Sequence, residues 1–350
     1  MGFNTKKIRV MIVDDSMLAR RIIQNGLSRY PNIEVVGEAF NAMDARKKLP
    51  ILNPDVMTLD VEMPGMNGID FVKEILPIHP IPIILVSSLN LRVFDAMAVG
   101  AVDFVRKPDG TEGNDRFIEA LANKIVVASC ARVRRSPLRP VASNNRIASL
   151  PLKMGVASTD VIIGLGASTG GTEATLEVLR RLPANIPGMV IVQHMPPGFT
   201  QMYAERLDRI CQMKVKEAEN GDEIVRGQAL IAPGDKQMRV VRNGTRYTVS
   251  CMPGEKVSGH CPSVDALFLS MAQNVRCRMV GIIMTGMGSD GAKGLLEMRK
   301  KGAYTIGQDK DSCVVYGMPM VAHNIGAVMQ QASCENIAGV LVRHLGGSHL

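Results

Sequence analysis

A chain of 350 residues with 46% hydrophobic and 21% charged side chains has a globular composition, and its length suits about two domains of ~150 residues each. Aromatics make up only 4%, with no Trp, whereas Met reaches 23 and Gly 33, so the cores are aliphatic and Met-rich, which favours parallel α/β sheets over a β-sandwich. A collagen, a disordered tail and a disulfide mini-protein are excluded. The formal charge of +8 raises the expectation of an anionic partner. Most of that excess is local: Arg132, Arg134, Arg135, Arg139, Arg146 and Lys153 fall between 131 and 158, where no acid occurs.

In chain order, short β-branched or Met-rich runs at Arg9–Val13, Ile33–Ala39, Val56–Leu59, Ile83–Val86 and Val102–Val105 read as strands. Helical stretches separate them at Ala19–Ser28, Ala42–Leu49, Gly68–Leu76 and Val93–Ala98, and Arg116–Ala128 follows the last. This alternation implies a parallel, doubly wound five-strand sheet. The Pro-, Ser- and Asn-bearing stretch that follows reads as a flexible linker. A second α/β pattern then places strands at Asp160–Leu165, Met189–Gln193, Met279–Thr285 and Tyr304–Gly307, and helices at Gly171–Arg181, Ala266–Gln273, Asp290–Lys300 and Ala332–His344. Ile224–Cys251 reads as a hairpin region. Seven Cys, odd in number and without a C-x-x-C pair, argue for reduced thiols, and no signal-peptide core or membrane-length apolar run is present, so the expected location is the cytoplasm.

Ligand sites of doubly wound sheets lie outside the carboxyl ends of the strands. In the first domain those ends carry Asp14 and Asp15, Asp60, Ser87, and Lys107 before Pro108. Clustered carboxylates repel unless a hard cation joins them, and Mg²⁺ with phosphate oxygens fits, leaving one carboxylate as a phosphoryl acceptor. Any one of these residues alone is common in a solvated loop.

With Val13-Asp14-Asp15-Ser16, Leu59-Asp60-Val61-Glu62-Met63-Pro64-Gly65-Met66-Asn67-Gly68, Val86-Ser87-Ser88 and Lys107-Pro108, residues 7–130 resemble a two-component receiver domain. The resemblance implies Asp60 as phosphoacceptor, and Asp14 and Asp15 placing Mg²⁺ together with Asp60 and the Glu62 backbone carbonyl. It also implies Ser87 and Lys107 on the phosphoryl oxygens, with a histidine kinase as donor. Phe104 is either the aromatic that repacks with Ser87 on phosphorylation or a plain core side chain.

In the second domain Gly164-Leu165-Gly166-Ala167-Ser168-Thr169-Gly170-Gly171 lacks the third glycine of a dinucleotide fingerprint and the Lys-Ser or Lys-Thr of a P-loop. Gly166-x-Ser168-x-Gly170 has nucleophile-elbow spacing, and is otherwise a Gly-rich structural turn. Among six His, His194 ends a strand at the same sheet edge, His260 is second choice and His323 third. Asp290, in Thr285-Gly286-Met287-Gly288-Ser289-Asp290-Gly291, is the candidate orienting acid or a cap on the helix from Gly291 onward, roles that are compatible.

Gly166 to Glu173, Gln193-His194-Met195-Pro196-Pro197-Gly198-Phe199-Thr200, His260-Cys261-Pro262-Ser263-Val264-Asp265 and Thr285 to Gly291 together resemble the catalytic domain of the chemotaxis protein-glutamate methylesterases, the CheB family. Ser289 stands where Asn is common in that family. The resemblance implies Ser168 as nucleophile, His194 as base, Asp290 as acid, the Met287 N–H as oxyanion donor, and Thr169 and His260 lining the site. The expected organisation is a receiver at 1–130, a basic flexible linker at 131–158 and a mainly parallel, doubly wound α/β catalytic domain at 159–350. The expected function is phosphorylation-activated hydrolysis of glutamate methyl esters, and deamidation of specific glutamines, on the cytoplasmic helices of methylated chemoreceptors. That chemistry needs no cofactor, Mg²⁺ serving the receiver alone, and the expected state is a monomer that neither binds nucleic acid nor inserts into a membrane. The alternatives are a receiver-regulated esterase or amidase acting on another protein, and a receiver-linked DNA-binding regulator motivated by the charge.

Overall fold

The computed structural model describes residues 6–88, 92–108, 113–133 and 161–346. The chain divides into two units, Met1–Ser143 and Asn144–Leu350. Most of the expected linker, 134–158, lies outside the described residues.

The first unit alternates β1 (Ile8–Val13), α1 (Met17–Leu27), β2 (Ile33–Ala39), α2 (Ala42–Leu52), β3 (Val56–Asp60), α3 (Gly68–Ile75), β4 (Ile83–Ser87), α4 (Arg92–Ala98), β5 (Asp103–Arg106) and α5 (Asn114–Ser129). Its sheet has the order β2-β1-β3-β4-β5 with every pairing parallel. Strands β3 and β4 are buried along their whole length, the pattern of a sheet covered on both faces. Ser16, Asn41 and Asn67 start α1, α2 and α3, each accepting from a backbone N–H of the first turn.

The second unit runs β6 (Val161–Ala167), α6 (Gly171–Leu179), β7 (Met189–Gln193), α7 (Phe199–Ile210), β8 (Lys214–Glu217), β9 (Gln228–Ile231), β10 (Gln237–Asn243), β11 (Arg246–Met252), α8 (Val264–Asn274), β12 (Arg278–Ile283), α9 (Ala292–Lys300), β13 (Tyr304–Gln308), α10 (Met318–Asn324), β14 (Gln330–Ala332) and α11 (Cys334–Leu345). Seven of these strands form one parallel sheet, β14-β13-β12-β6-β7-β9-β8. The expected hairpin is narrower than the sequence indicates: β10 and β11 pair antiparallel, but β9 joins the main sheet between β7 and β8. Helices α7 and α10 and the edge strands β8 and β14 were not expected.

In both sheets the strand order reverses beside a central strand, between β1 and β3 in the first and between β6 and β12 in the second. Those crevices are where a doubly wound sheet receives ligands. Helix α8 lies close on β6 because residues 164 and 166 carry no side chain: a Cβ at 164 would sit 2.6 Å from Met271 Sδ, and one at 166 would collide with Val264. No helix among the described residues is long and apolar enough to cross a membrane. Overpacking a close contact costs about 1–3 kcal/mol, so Gly166→Ala is expected to lower the calorimetric transition of the second unit and leave that of the first in place.

Candidate active site

Ser168 and His194 directly follow the adjacent strands β6 and β7, and Asp290 lies in the loop that leads from the neighbouring strand β12 into α9. The His194 N–H donates to Ala167 O at 3.1 Å and the Ser168 N–H to Thr285 O at 3.0 Å, so the three strand exits are stitched together by backbone. Gln193, buried at the end of β7, donates from Nε2 to Ser168 O at 2.8 Å. The turn from Ser168 into α6 passes through Gly170 at φ +76°, left-handed backbone that favours glycine, with Val314 packed where a side chain would go.

The side chains form one row. His194 Nδ1 is 3.1 Å from Ser168 Oγ, and His194 Nε2 is 2.8 Å from Asp290 Oδ2. An ionised carboxylate only accepts, so Nε2 carries the ring proton and Nδ1 offers its lone pair to the serine hydroxyl. The ring nitrogens are used in the reverse sense to the serine-protease template, where Nε2 faces the serine.

Asp290 is almost fully buried. It does not cap α9, whose N-cap is Gly291. Instead it accepts from Ser263 Oγ at 2.7 Å, Val264 N–H at 2.8 Å and Asp265 N–H at 2.9 Å, the start of α8. Burial pushes its carboxyl up, but the His194 bond and charge, the Asp265 N–H and the Ser263 hydroxyl outweigh burial and hold it below the usual range. Asp265 is the counterpart, accepting from Gly294 N–H in α9 and from Ser258 Oγ, both at 2.8 Å. Burial, with the neighbouring Asp290 charge, holds that carboxyl above the usual range despite these bonds.

The His260 ring stacks on His194 with centroids 3.8 Å apart and planes 7° apart, and its Nδ1 is 2.9 Å from Ser258 O. Thr169 is buried next to Ser168 in the chain. Met287 is 41% exposed, and its N–H donates to no described residue. Gly286 before it backs directly on Ser168, since a Cβ there would sit 2.6 Å from Ser168 Cβ. His323 is exposed on α10. Gln193, Ser263, Asp265 and Thr285 belong to the quoted motifs, but sequence reading assigned them no role. Ser263 carried a usable signal, an N-cap residue before an apolar helix.

In the first unit Asp14, Asp15 and Asp60 each bring a carboxylate oxygen within 4.8 Å of the others. Lys107 Nζ lies 2.9 Å from Asp14 Oδ2 and 2.7 Å from Asp60 Oδ2, while Glu62 donates its N–H to Asp60 Oδ1 at 3.2 Å. Burial, helped by the Asp14 charge, holds the Asp60 carboxyl above its ordinary value although Lys107 pulls it down. Ser87 Oγ is buried with no hydrogen-bond partner among the described residues, a donor ready for an incoming oxygen. Phe104 is buried, edge-on to Phe94 at 6.1 Å. The all-oxygen donor set and its crowded negative charge fit a hard divalent cation such as Mg²⁺.

Because the Asp290 carboxyl is depressed in the fold, the stability it contributes is complete above the unfolded value of about 3.9 and fades as pH falls through the lower folded value. Asp290→Asn is therefore expected to lower the melting temperature of the second unit at pH 7. The penalty should shrink below about pH 4, which melting curves of both proteins across that range will show.

The response regulator receiver domain model matches residues 10–117, and the CheB methylesterase model matches residues 163–341. The protein-glutamate methylesterase/protein-glutamine glutaminase 2 of Syntrophomonas wolfei is 50% identical over 341 residues, 97% of this chain and 98% of its own length. The protein-glutamate methylesterase/protein-glutamine glutaminase of Syntrophotalea carbinolica is 46% identical, covering 96% of this chain and 97% of its own. The crystal structure of the Thermotoga maritima CheB methylesterase catalytic domain, 35% identical, superposes with a TM-score of 0.51 over 52% of this chain and 97% of that one. With a receiver domain ahead of a methylesterase domain and likeness along nearly its whole length, the chain belongs to the CheB methylesterase family.

Proposed function

We propose that the chain is a phosphorylation-activated serine hydrolase that demethylates glutamate methyl esters, and deamidates specific glutamines, on chemotaxis receptors in the cytoplasm. The observation that carries this reading is the hydrogen-bonded row Ser168–His194–Asp290 at one sheet edge, in a chain that also holds a receiver's acid cluster. The names of its relatives, protein-glutamate methylesterase/protein-glutamine glutaminase, support the same chemistry.

His194 Nδ1 takes the Ser168 proton as Oγ attacks the ester carbonyl. The Met287 N–H receives the developing oxyanion, and Asp290 steadies the imidazolium through Nε2. Collapse expels methoxide, which takes the proton from His194 and leaves as methanol. Water, deprotonated by His194, then cleaves the acyl-enzyme to free the glutamate carboxylate and Ser168; with a glutamine substrate the leaving group is ammonia. Thr169 and His260 line this site, and the reaction needs no cofactor.

In the receiver, spanning 1–130, Asp60 is the phosphoacceptor: its carboxylate attacks the phosphorus of a histidine kinase's phosphohistidine, the P–N bond breaks, and the kinase imidazole leaves and takes up a proton. Lys107 and the Ser87 hydroxyl hold the transferred oxygens. Asp14, Asp15, Asp60 and the Glu62 carbonyl would bind Mg²⁺, which offsets the negative charge of the phosphoryl group. The linker of 131–158 connects it to the catalytic domain of 159–350.

Methanol release from methyl-labelled chemoreceptor membranes tests the reading. Release should require Ser168, rise with Mg²⁺ and a small phosphoryl donor, and lose that rise in Asp60→Asn while the basal rate persists. No release from phosphorylated wild type would overturn the substrate assignment, and undiminished release from Ser168→Ala would overturn the nucleophile. Removing the cation that holds Asp60 down should raise its carboxyl further. Lys107→Met is thus expected to slow Asp60 phosphorylation and to move the acid limb of its pH profile upward, read by phosphate incorporation.

A further inference from the structure

We infer that Thr285 is a positioning residue that sets the spacing between the nucleophile and the oxyanion donor. The inference rests on the reading that Ser168 attacks and the Met287 N–H receives the oxyanion. Thr285 is fully buried just past β12. Its carbonyl accepts the Ser168 N–H at 3.0 Å. Its hydroxyl donates to Thr169 O at 3.0 Å, with Val315 O at 3.2 Å as the alternative acceptor, and accepts the Val315 N–H at 3.0 Å. Its own N–H donates to Gln308 Oε1, at the end of β13, at 2.9 Å.

Between Thr285 and the donor peptide of Met287 stands only Gly286. The Gly286 N–H is held by Val315 O at 3.0 Å, and its carbonyl accepts from Gly317 N–H at 3.0 Å and Met318 N–H at 2.8 Å. The path from nucleophile to oxyanion donor is therefore hydrogen-bonded at each step, and the Thr285 hydroxyl is the side-chain link that joins the turn after β6 to the loop after β12 and to the segment after β13. An isosteric Thr285→Val leaves the Thr169 carbonyl and the Val315 N–H without that partner, so the link between the loops loosens to the backbone bonds alone. Thr285 has no exposed surface with which to touch substrate, so the loss falls on the chemical step and not on binding. Misplacement of a reacting group by about 1 Å costs up to ~100-fold in rate.

The test uses the full-length protein and compares wild type, Thr285→Val, Thr285→Ser and Ser168→Ala. Two readings are taken: kcat and KM for methanol release from methylated receptor membranes, and the rate of acylation by p-nitrophenyl acetate. Thr285→Val is expected to lower kcat and acylation by roughly 10- to 100-fold with KM within about twofold. Thr285→Ser, which keeps the hydroxyl, should restore both. Wild-type kcat in Thr285→Val, a change confined to KM, or a Thr285→Ser as slow as Thr285→Val would each overturn the inference. Should Thr285→Val show no cooperative melting transition, Thr285→Cys replaces it: a slow Cys variant beside a fast Ser variant upholds the inference, and a Cys variant at wild-type rate overturns it. Full acylation of Ser168→Ala would instead overturn the nucleophile reading beneath it.

Discussion

Two buried carboxylates exchanged between neighbouring helices hold the second unit's site together. Asp290 precedes α9 but receives the first N–H groups of α8, and Asp265 lies in the first turn of α8 but receives a first-turn N–H of α9. Each charge thereby meets the positive end of the other helix. The exchange leaves Asp290 with one further valence, which goes to His194. Burial, with the neighbouring Asp290 charge adding to it, holds the Asp265 carboxyl above its ordinary value, whereas His194 and the donors of α8 hold Asp290 below. His194 is thus oriented by a carboxylate that is itself fixed by the start of α8, the kind of support the proposed base would need.

Both units use the same topological device for different ends. A parallel sheet exposes its carboxyl edge where strand order reverses, and loops leaving adjacent strands converge there without long excursions. In the first unit this brings Asp14 and Asp60 together across β1 and β3, and in the second it brings Ser168 and the Asp290 loop together across β6 and β12. The absence of side chains at 164 and 166 extends this logic, because the close approach of α8 to β6 is what carries Ser263 and Asp265 to the site.

What was legible in the sequence follows from these constraints. Strands covered on both faces are continuous apolar runs, so β3, β4, β6 and β7 could be placed to within a residue or two. Edge strand β8 could not, since only Val215 of Lys214–Glu217 is buried. Helix α7 has Phe199, Tyr203, Ala204 and Leu207 buried at helical spacing, a signal masked by the polar residues between them. The row of Ser168, His194 and Asp290 was readable because each sits at a glycine-marked or proline-marked strand exit. The contacts of its supports were not: Ser263, though legible as a helix cap, and Asp265 reach Asp290 across 27 and 25 residues, and Gln193 reaches Ser168 O across 25. Contacts of that separation leave no period or spacing in a single chain. Asp290 itself shows the limit, for its local context reads as a cap on the helix that follows, whereas tertiary packing turns it to another helix.

The opposite treatment of two strand-end carboxylates separates their uses. Asp60 accepts one N–H, from Glu62, and a Lys107 shared with Asp14, so burial and the neighbouring acid prevail and its carboxyl is raised. Such a carboxylate is under-solvated and depends on added positive charge, which suits the phosphoacceptor role proposed for it. Asp290 accepts from His194, Ser263, Val264 and Asp265, so its lone pairs are occupied and its carboxyl is lowered. A carboxylate so saturated is a poor nucleophile and a good anchor. Burial therefore prevails at Asp60, whereas at Asp290 the His194 and α8 donors outweigh it, which fits the acceptor and orienting-acid roles proposed for them.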